Sequence, residues 1–270
     1  NIFILKDKEE ASYFINDLEN ILKKKILFFP ESYRRTYQFS ETDNSNILLR
    51  AEVLNKLNSN KRPIIITYPE ALSEKVISRN ELRKQTIKLQ IGQTCDIENL
   101  IEEFEKLHFV QSDFVTDPGQ FSVRGGIVDV FSFANEYPYR IEFNEDELES
   151  IRTFDINTQL SIENHKNVVI IPNTEAKKTN SNKTSFINYL PSNSQLWIKD
   201  ISFVCGKIDD LFQKSQNKSQ RNNKNIKLDF KDLFCNGSDF INEIKTYKII
   251  ELERPILNTL KTISLNISPL

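Results

Sequence analysis

A chain of 270 residues with 39% hydrophobic and 27% charged side chains can bury a full core, and its length favours about two domains. A formal charge of −2 argues against a nucleic-acid footprint spread over the whole surface. Apolar runs such as 64–66 and 168–171 fall far short of the roughly 20 residues that cross a bilayer, and no basic-then-apolar leader opens the chain, so a cytoplasmic protein is expected. The start at Asn1 reads as that of a fragment.

The first stretch alternates short apolar strands with amphipathic helices. Residues 2–5 read as a buried strand, and 7–23 carry Ala11, Phe14, Ile15, Leu18, Ile21 and Leu22 at helical spacing. Asp7 is placed to cap that helix, with Glu10 three residues on. A second strand, 26–29, is closed by Pro30. Asn44 or Ser45 caps a helix bearing Ile47, Leu48, Ala51, Leu54 and Leu57, and 63–68 form a third strand. This order predicts a parallel sheet with right-handed crossovers, as in a doubly wound or RecA-like α/β domain.

Near residue 85 the pattern changes. Residues 86–90 alternate as a strand and 96–107 as a short helix. A run of strands follows at 109–116, 120–124, 127–131, 138–143 and 147–154, broken by turns at Asp117-Pro118-Gly119, Gly125-Gly126 and Ala134-Asn135-Glu136. Strands return at 168–171, 195–198 and 247–252, with helices between them. The polar stretch 213–227, with five basic residues, is expected to be a flexible surface loop. The expected architecture is therefore two α/β subdomains, 1–80 and 166–270, flanking an inserted α+β domain rich in antiparallel hairpins at 81–165.

Several chemistries lack their residues. A phosphate-cradling loop needs G-x-x-x-x-G-K-[ST]; the nearest echo, Gly206-Lys207-Ile208, lacks the upstream glycine and the hydroxyl and reads as a loop-to-helix turn. No G-x-S-x-G is present, and His108 and His165 neighbour neither Ser nor Cys. Cys95, Cys205 and Cys235 are too scattered for a zinc site and read as reduced thiols. The carboxylates Glu142, Glu145, Asp146, Glu147 and Glu149 read as a solvated turn rather than a magnesium site.

One segment is specific. Within 117–163, Phe121 and Val123 share one strand face, with Ser122 and Arg124 on the other. Tyr139, Ile141 and Phe143 point one way, with Arg140 and Glu142 opposite. Arg124 and Arg140 are thus predicted on the solvent side of nearby strands, where two arginines beside carboxylates suit protein docking as well as ordinary surface. The runs FSVRGGIVDVF, YPYRIEF and DELESIRTFDINTQ resemble the transcription-repair coupling factor (Mfd) family, at its N-terminal UvrB-like module.

That resemblance implies a non-catalytic module that recruits the excision-repair protein UvrA through its inserted β domain, with no cofactor of its own. ATP, Mg²⁺, RNA polymerase and duplex DNA would engage other regions of a translocase. A C-terminal domain would mask the UvrA face until polymerase engagement. Carried over by position, Arg124, Arg140, Glu142, Phe143 and Asn144 line the docking face. The chain departs from the family pattern at Asn144, where an aromatic is usual. Reversing charge at both arginines is expected to abolish UvrA capture with the fold intact. Two other readings stay open on the residues alone: a fragment of UvrB or another RecA-like ATPase, and a DNA-binding module using 213–227.

Overall fold

The computed structural model describes residues 1–32, 45–59, 62–174, 182–222 and 230–253. In chain order, β1 (Ile2–Ile4) leads into α1 (Lys8–Leu22), β2 (Leu27–Phe28), α2 (Ser45–Asn58), β3 (Ile65–Thr67) and α3 (Pro69–Leu72). Next come β4 (Val76–Ile77), α4 (Arg79–Lys84), β5 (Ile87–Gln90) and α5 (Ile97–Lys106). A run of strands follows: β6 (Val110–Gln111), β7 (Gln120–Arg124), β8 (Ile127–Val130), β9 (Tyr139–Asn144), β10 (Glu147–Phe154), β11 (Ser161–Asn164) and β12 (Asn167–Ile170). The last elements are β13 (Lys183–Thr184), α6 (Phe186–Tyr189), β14 (Gln195–Ile198), α7 (Ile201–Asn222), α8 (Gly237–Ile244) and β15 (Lys248–Glu251). The fold class is mixed α/β. The chain divides into one unit of Asn1–Pro30, Pro63–Lys75 and Ser185–Leu270 and another of Glu31–Arg62 and Val76–Thr184.

The first unit carries the expected parallel sheet, in the order β15-β14-β1-β3-β2, with every neighbouring pair parallel. Ile4, Ile65, Ile66, Leu196 and Ile198 are buried along its strands. Asp7 caps α1 as predicted, accepting from the Glu10 amide at 2.9 Å, while the Glu10 carboxylate accepts from the Lys6 amide at 2.9 Å. Of the apolar residues at helical spacing, Ala11 is buried but Ile21 and Leu22 are exposed. α7 packs on α8 and α3.

Two expectations fail on α7. Gly206-Lys207-Ile208 lies within the helix rather than at a turn, because Asp200 starts the helix earlier by accepting from the Phe203 amide at 2.9 Å. The helix also runs on through Asn222, so the first ten residues of the supposed loop 213–227 are helical. Gln, Lys and Arg have good helix propensity, and a helix already nucleated by its packed N-terminal half gains one bond per added residue. Residues 223–227 lie outside the described residues, as does Asn44; Ser45 is the first residue of α2.

The second unit is built on a six-stranded sheet, β11-β10-β9-β8-β7-β6. The steps from β7 to β11 are antiparallel. The expected strand 109–116 shrinks to Val110–Gln111, and it pairs parallel to β7 rather than as a hairpin. Side chains divert the backbone there. The Ser112 hydroxyl donates to the Phe114 carbonyl at 2.8 Å, and the Gln120 side-chain oxygen accepts from the amides of Thr116 at 2.9 Å and Asp117 at 3.0 Å. Gly125 opens the β7–β8 turn at φ 58°, and a Cβ on Gly126 would sit 2.8 Å from the Phe143 carbonyl, so both turn positions call for glycine.

The sheet is apolar on one face. Phe121, Val128, Val130, Tyr139, Ile141, Phe143, Leu148 and Ile151 form one core with Leu100 and Phe104 of α5, itself capped by Asp96. β5 pairs antiparallel with β12, Ile87 opposite Ile170, and both strands contribute to the same core. The unit therefore extends past 165, the expected boundary, and takes in the strand that had been given to the following subdomain.

Candidate functional site

The opposite face of the six-stranded sheet is polar, and its cross-strand register sets residues in rows. Ser122 lies opposite Asp129, Asp129 opposite Arg140, Arg140 opposite Arg152, and Arg152 opposite Asn164. A second row sets Arg124 opposite Ile127, Ile127 opposite Glu142, and Glu142 opposite Ser150. Directly opposed side chains come within about 5 Å at Cβ, so the rows become contacts.

Asp129 organises the first row. Its side chain is 2% exposed. Arg140 reaches it with Nε to Oδ1 at 2.7 Å and Nη2 to Oδ2 at 2.9 Å, a bidentate fork. Arg124 meets the same carboxylate from the other strand, Nη2 to Oδ2 at 2.5 Å. Arg140 also donates to Gln159 at 2.8 Å, and its guanidinium lies 4.2 Å from the Phe154 ring centroid. Arg124 donates to the Asp113 carbonyl and the Ser122 hydroxyl, each at 3.2 Å. Among the described residues, Arg140 Nη1 and Arg124 Nε make no hydrogen bond. Both guanidiniums are thus fixed in place with donors to spare.

A separate ion pair runs diagonally between the two rows. Arg152 grips Glu142 through Nη1 to Oε2 at 2.7 Å and Nη2 to Oε1 at 2.5 Å, and the Ser150 hydroxyl donates to Glu142 at 2.6 Å. Arg152 first, and then Ser150, hold the Glu142 carboxyl at about 2, against an ordinary 4.5. Across the face three guanidiniums meet two carboxylates, leaving one positive charge in surplus.

The five residues predicted for docking are brought together only in part. Arg124, Arg140 and Glu142 lie on the polar face as expected. Arg140 is less open than predicted, at 14% side-chain exposure against 38% for Arg124, because Asp129 and Phe154 hold it down. Asn144 is exposed at the end of β9. Phe143 is a correction: it is 8% exposed and belongs to the core on the other face, as its alternation with Glu142 and Asn144 requires. The expectation that charge reversal at both arginines leaves the fold intact also changes. A glutamate at position 140 would face the buried Asp129 carboxylate. Asp129, Arg152 and Gln159 were missed. The signal for Asp129 was the period-two pattern of β8, where an acid alternates with Val128 and Val130.

Elsewhere, the carboxylate-rich β9–β10 turn stays solvated, with Glu145, Asp146, Glu147 and Glu149 exposed. Among the described residues no group of three or more His, Cys, Asp or Glu side chains is arranged to hold a metal ion, and no helix is long and apolar enough to cross a membrane. Cys205 and Cys235 are buried, and burial pushes their thiols up to about 11 and about 12.

Comparison with known proteins agrees with this geometry. Residues 87–175 match the family described as UvrB interaction domain, which spans β5 to β12. The chain is 29% identical over 168 residues to the transcription-repair-coupling factor of Bacillus subtilis (strain 168), covering 62% of this chain and 14% of the relative. It is 32% identical over 181 residues to that of Rickettsia typhi, covering 64% and 16%, and 22% identical over 171 residues to that of Escherichia coli (strain K12), covering 63% and 15%. The chain thus matches only about a sixth or less of the length of these relatives.

Proposed function

We infer that this chain, which is related to the N-terminal region of the transcription-repair-coupling factors and carries a UvrB interaction domain, is a docking module whose polar β face captures UvrA. The observation that carries the reading is the pair Arg124 and Arg140, locked by one buried carboxylate on the outer side of a rigid sheet, each with an unused donor. Guanidiniums already held in place lose little freedom on binding and present a planar fork to a partner carboxylate. The work of the module is recognition, and no bond-making step is assigned to it.

On the same reading the five-stranded parallel unit is a degenerate RecA-like, UvrB-like subdomain. ATP and Mg²⁺, and contacts to RNA polymerase and duplex DNA, belong to other parts of the longer cytoplasmic translocase. A C-terminal domain there covers the arginine face until polymerase is engaged.

Co-elution of the chain with purified UvrA tests the reading, with Arg124→Ala as the variant that spares the fold. Losing a charge-assisted contact at an interface costs about 2–5 kcal/mol, so affinity should fall roughly 30-fold or more. Arg140→Gln combined with Asp129→Asn removes the second guanidinium without leaving a bare buried carboxylate. If both variants hold UvrA as tightly as the parent chain, the docking face is elsewhere.

A further inference from the structure

We propose that Phe114 is the apolar anchor of this docking face, seated in an apolar pocket of the acidic partner beside the carboxylate that takes Arg124; the proposal rests on the docking reading above. Phe114 is 64% exposed, among the largest exposures of any aromatic side chain in the described residues. Its ring nevertheless occupies a defined place: the Arg124 guanidinium lies 5.5 Å from its centroid.

The backbone around it is pinned on both sides. The Ser112 amide donates to the Phe121 carbonyl at 2.9 Å, and the Ser112 hydroxyl donates to the Phe114 carbonyl at 2.8 Å. The Asp113 carbonyl accepts from Ser122 at 2.9 Å and Arg124 at 3.2 Å. Val115 then turns inward and is 2% exposed. A flexible loop could fold its phenylalanine away, but this one is tied down with the ring outside.

An immobilised aromatic ring next to an arginine combines two kinds of group that are enriched at protein interfaces, and neither gives up much freedom on binding. Of the positions carried over by family resemblance, none supplies such an anchor: Phe143 is in the core, and Asn144 offers little apolar surface. The partner surface is therefore a carboxylate flanking an apolar hollow, rather than a uniformly acidic patch.

The test is the rate of association and dissociation of UvrA with the full chain carrying Phe114→Ala, Phe114→Tyr or Arg124→Ala, at two salt concentrations. Burial of an apolar anchor acts on dissociation without salt dependence, whereas loss of the Arg124 charge, besides weakening the complex, slows association and reduces its salt dependence. Phe114→Ala should raise the dissociation rate roughly 10- to 100-fold, leaving the association rate and salt dependence within about twofold of the parent. Phe114→Tyr should stay close to the parent. If Phe114→Ala leaves the rates unchanged while Arg124→Ala weakens binding, the anchor is refuted and the docking face stands. If Phe114→Ala instead reproduces the slower, less salt-sensitive association of Arg124→Ala, the ring serves only to orient Arg124 and the anchor is again refuted. If the parent chain does not bind UvrA, the docking reading fails and takes the anchor with it.

Discussion

Asp129→Ala should destabilise the six-stranded unit far more than its single deleted carboxylate implies. The substitution leaves two guanidiniums without their shared counter-charge, and Arg140, at 14% exposure, has little water to replace it. Removing one partner of a buried pair costs about 3–5 kcal/mol. Arg124, at 38% exposure, is mostly screened and adds roughly 0–1 kcal/mol. We expect about 3–6 kcal/mol for Asp129→Ala. Asp129→Asn keeps the shape and one acceptor, so its cost should be about 1.5–3 kcal/mol. Replacing both partners, Asp129→Ala with Arg140→Leu, should recover much of the loss, because no charge is then stranded. The only tryptophan, Trp197, lies in the parallel-sheet unit, so its fluorescence does not probe this face directly. Hydrogen exchange of the β8 and β9 amides does. A loss under 1 kcal/mol for Asp129→Ala, or strict additivity in the double variant, would refute the assignment of Asp129 as the organiser of the face.

Two further outcomes follow from the same sheet. Glu142 has its folded carboxyl held at about 2 against an ordinary 4.5, so its pairing with Arg152 stabilises the fold above about 4.5 and is lost as pH falls toward 2; Glu142→Gln should flatten that part of an acid titration followed by circular dichroism. Phe143→Ala should cost about 3–5 kcal/mol in urea unfolding, whereas Asn144→Ala, at an exposed strand end, should stay within about 0.5 kcal/mol.

Much of this was legible in the residues, for reasons that also explain the rest. Period-two alternation in β7 and β9 put the apolar and polar sides where they are, since a strand with one buried face allows one register only; β10 breaks that period at a register shift between Leu148 and Ser150. The parallel sheet followed from strands separated by helix-length segments. Phe143 was carried to the docking face by family position although its own alternation with Glu142 set it inside. Asp129 escaped notice because a lone acid in a strand gives no hint of which strands will neighbour it; only the register of β8 between β7 and β9 brings Arg124 and Arg140 to one carboxylate. The stretch 109–116 looked extended, but hydrogen bonds from Ser112 and to Gln120 outcompeted the ladder, an effect of geometry rather than composition.

The pairing of β5 with β12 has a topological consequence. Ile87, the first residue matched to the UvrB interaction domain, is a cross-strand neighbour of Ile170, shortly before the match ends at residue 175. Paired residues on adjacent strands sit about 5 Å apart at Cα, so the two ends arrive already joined. Closing the loop between them therefore adds almost no further entropic cost, and the hydrogen-bonded strand ends act as a clasp on the segment they enclose.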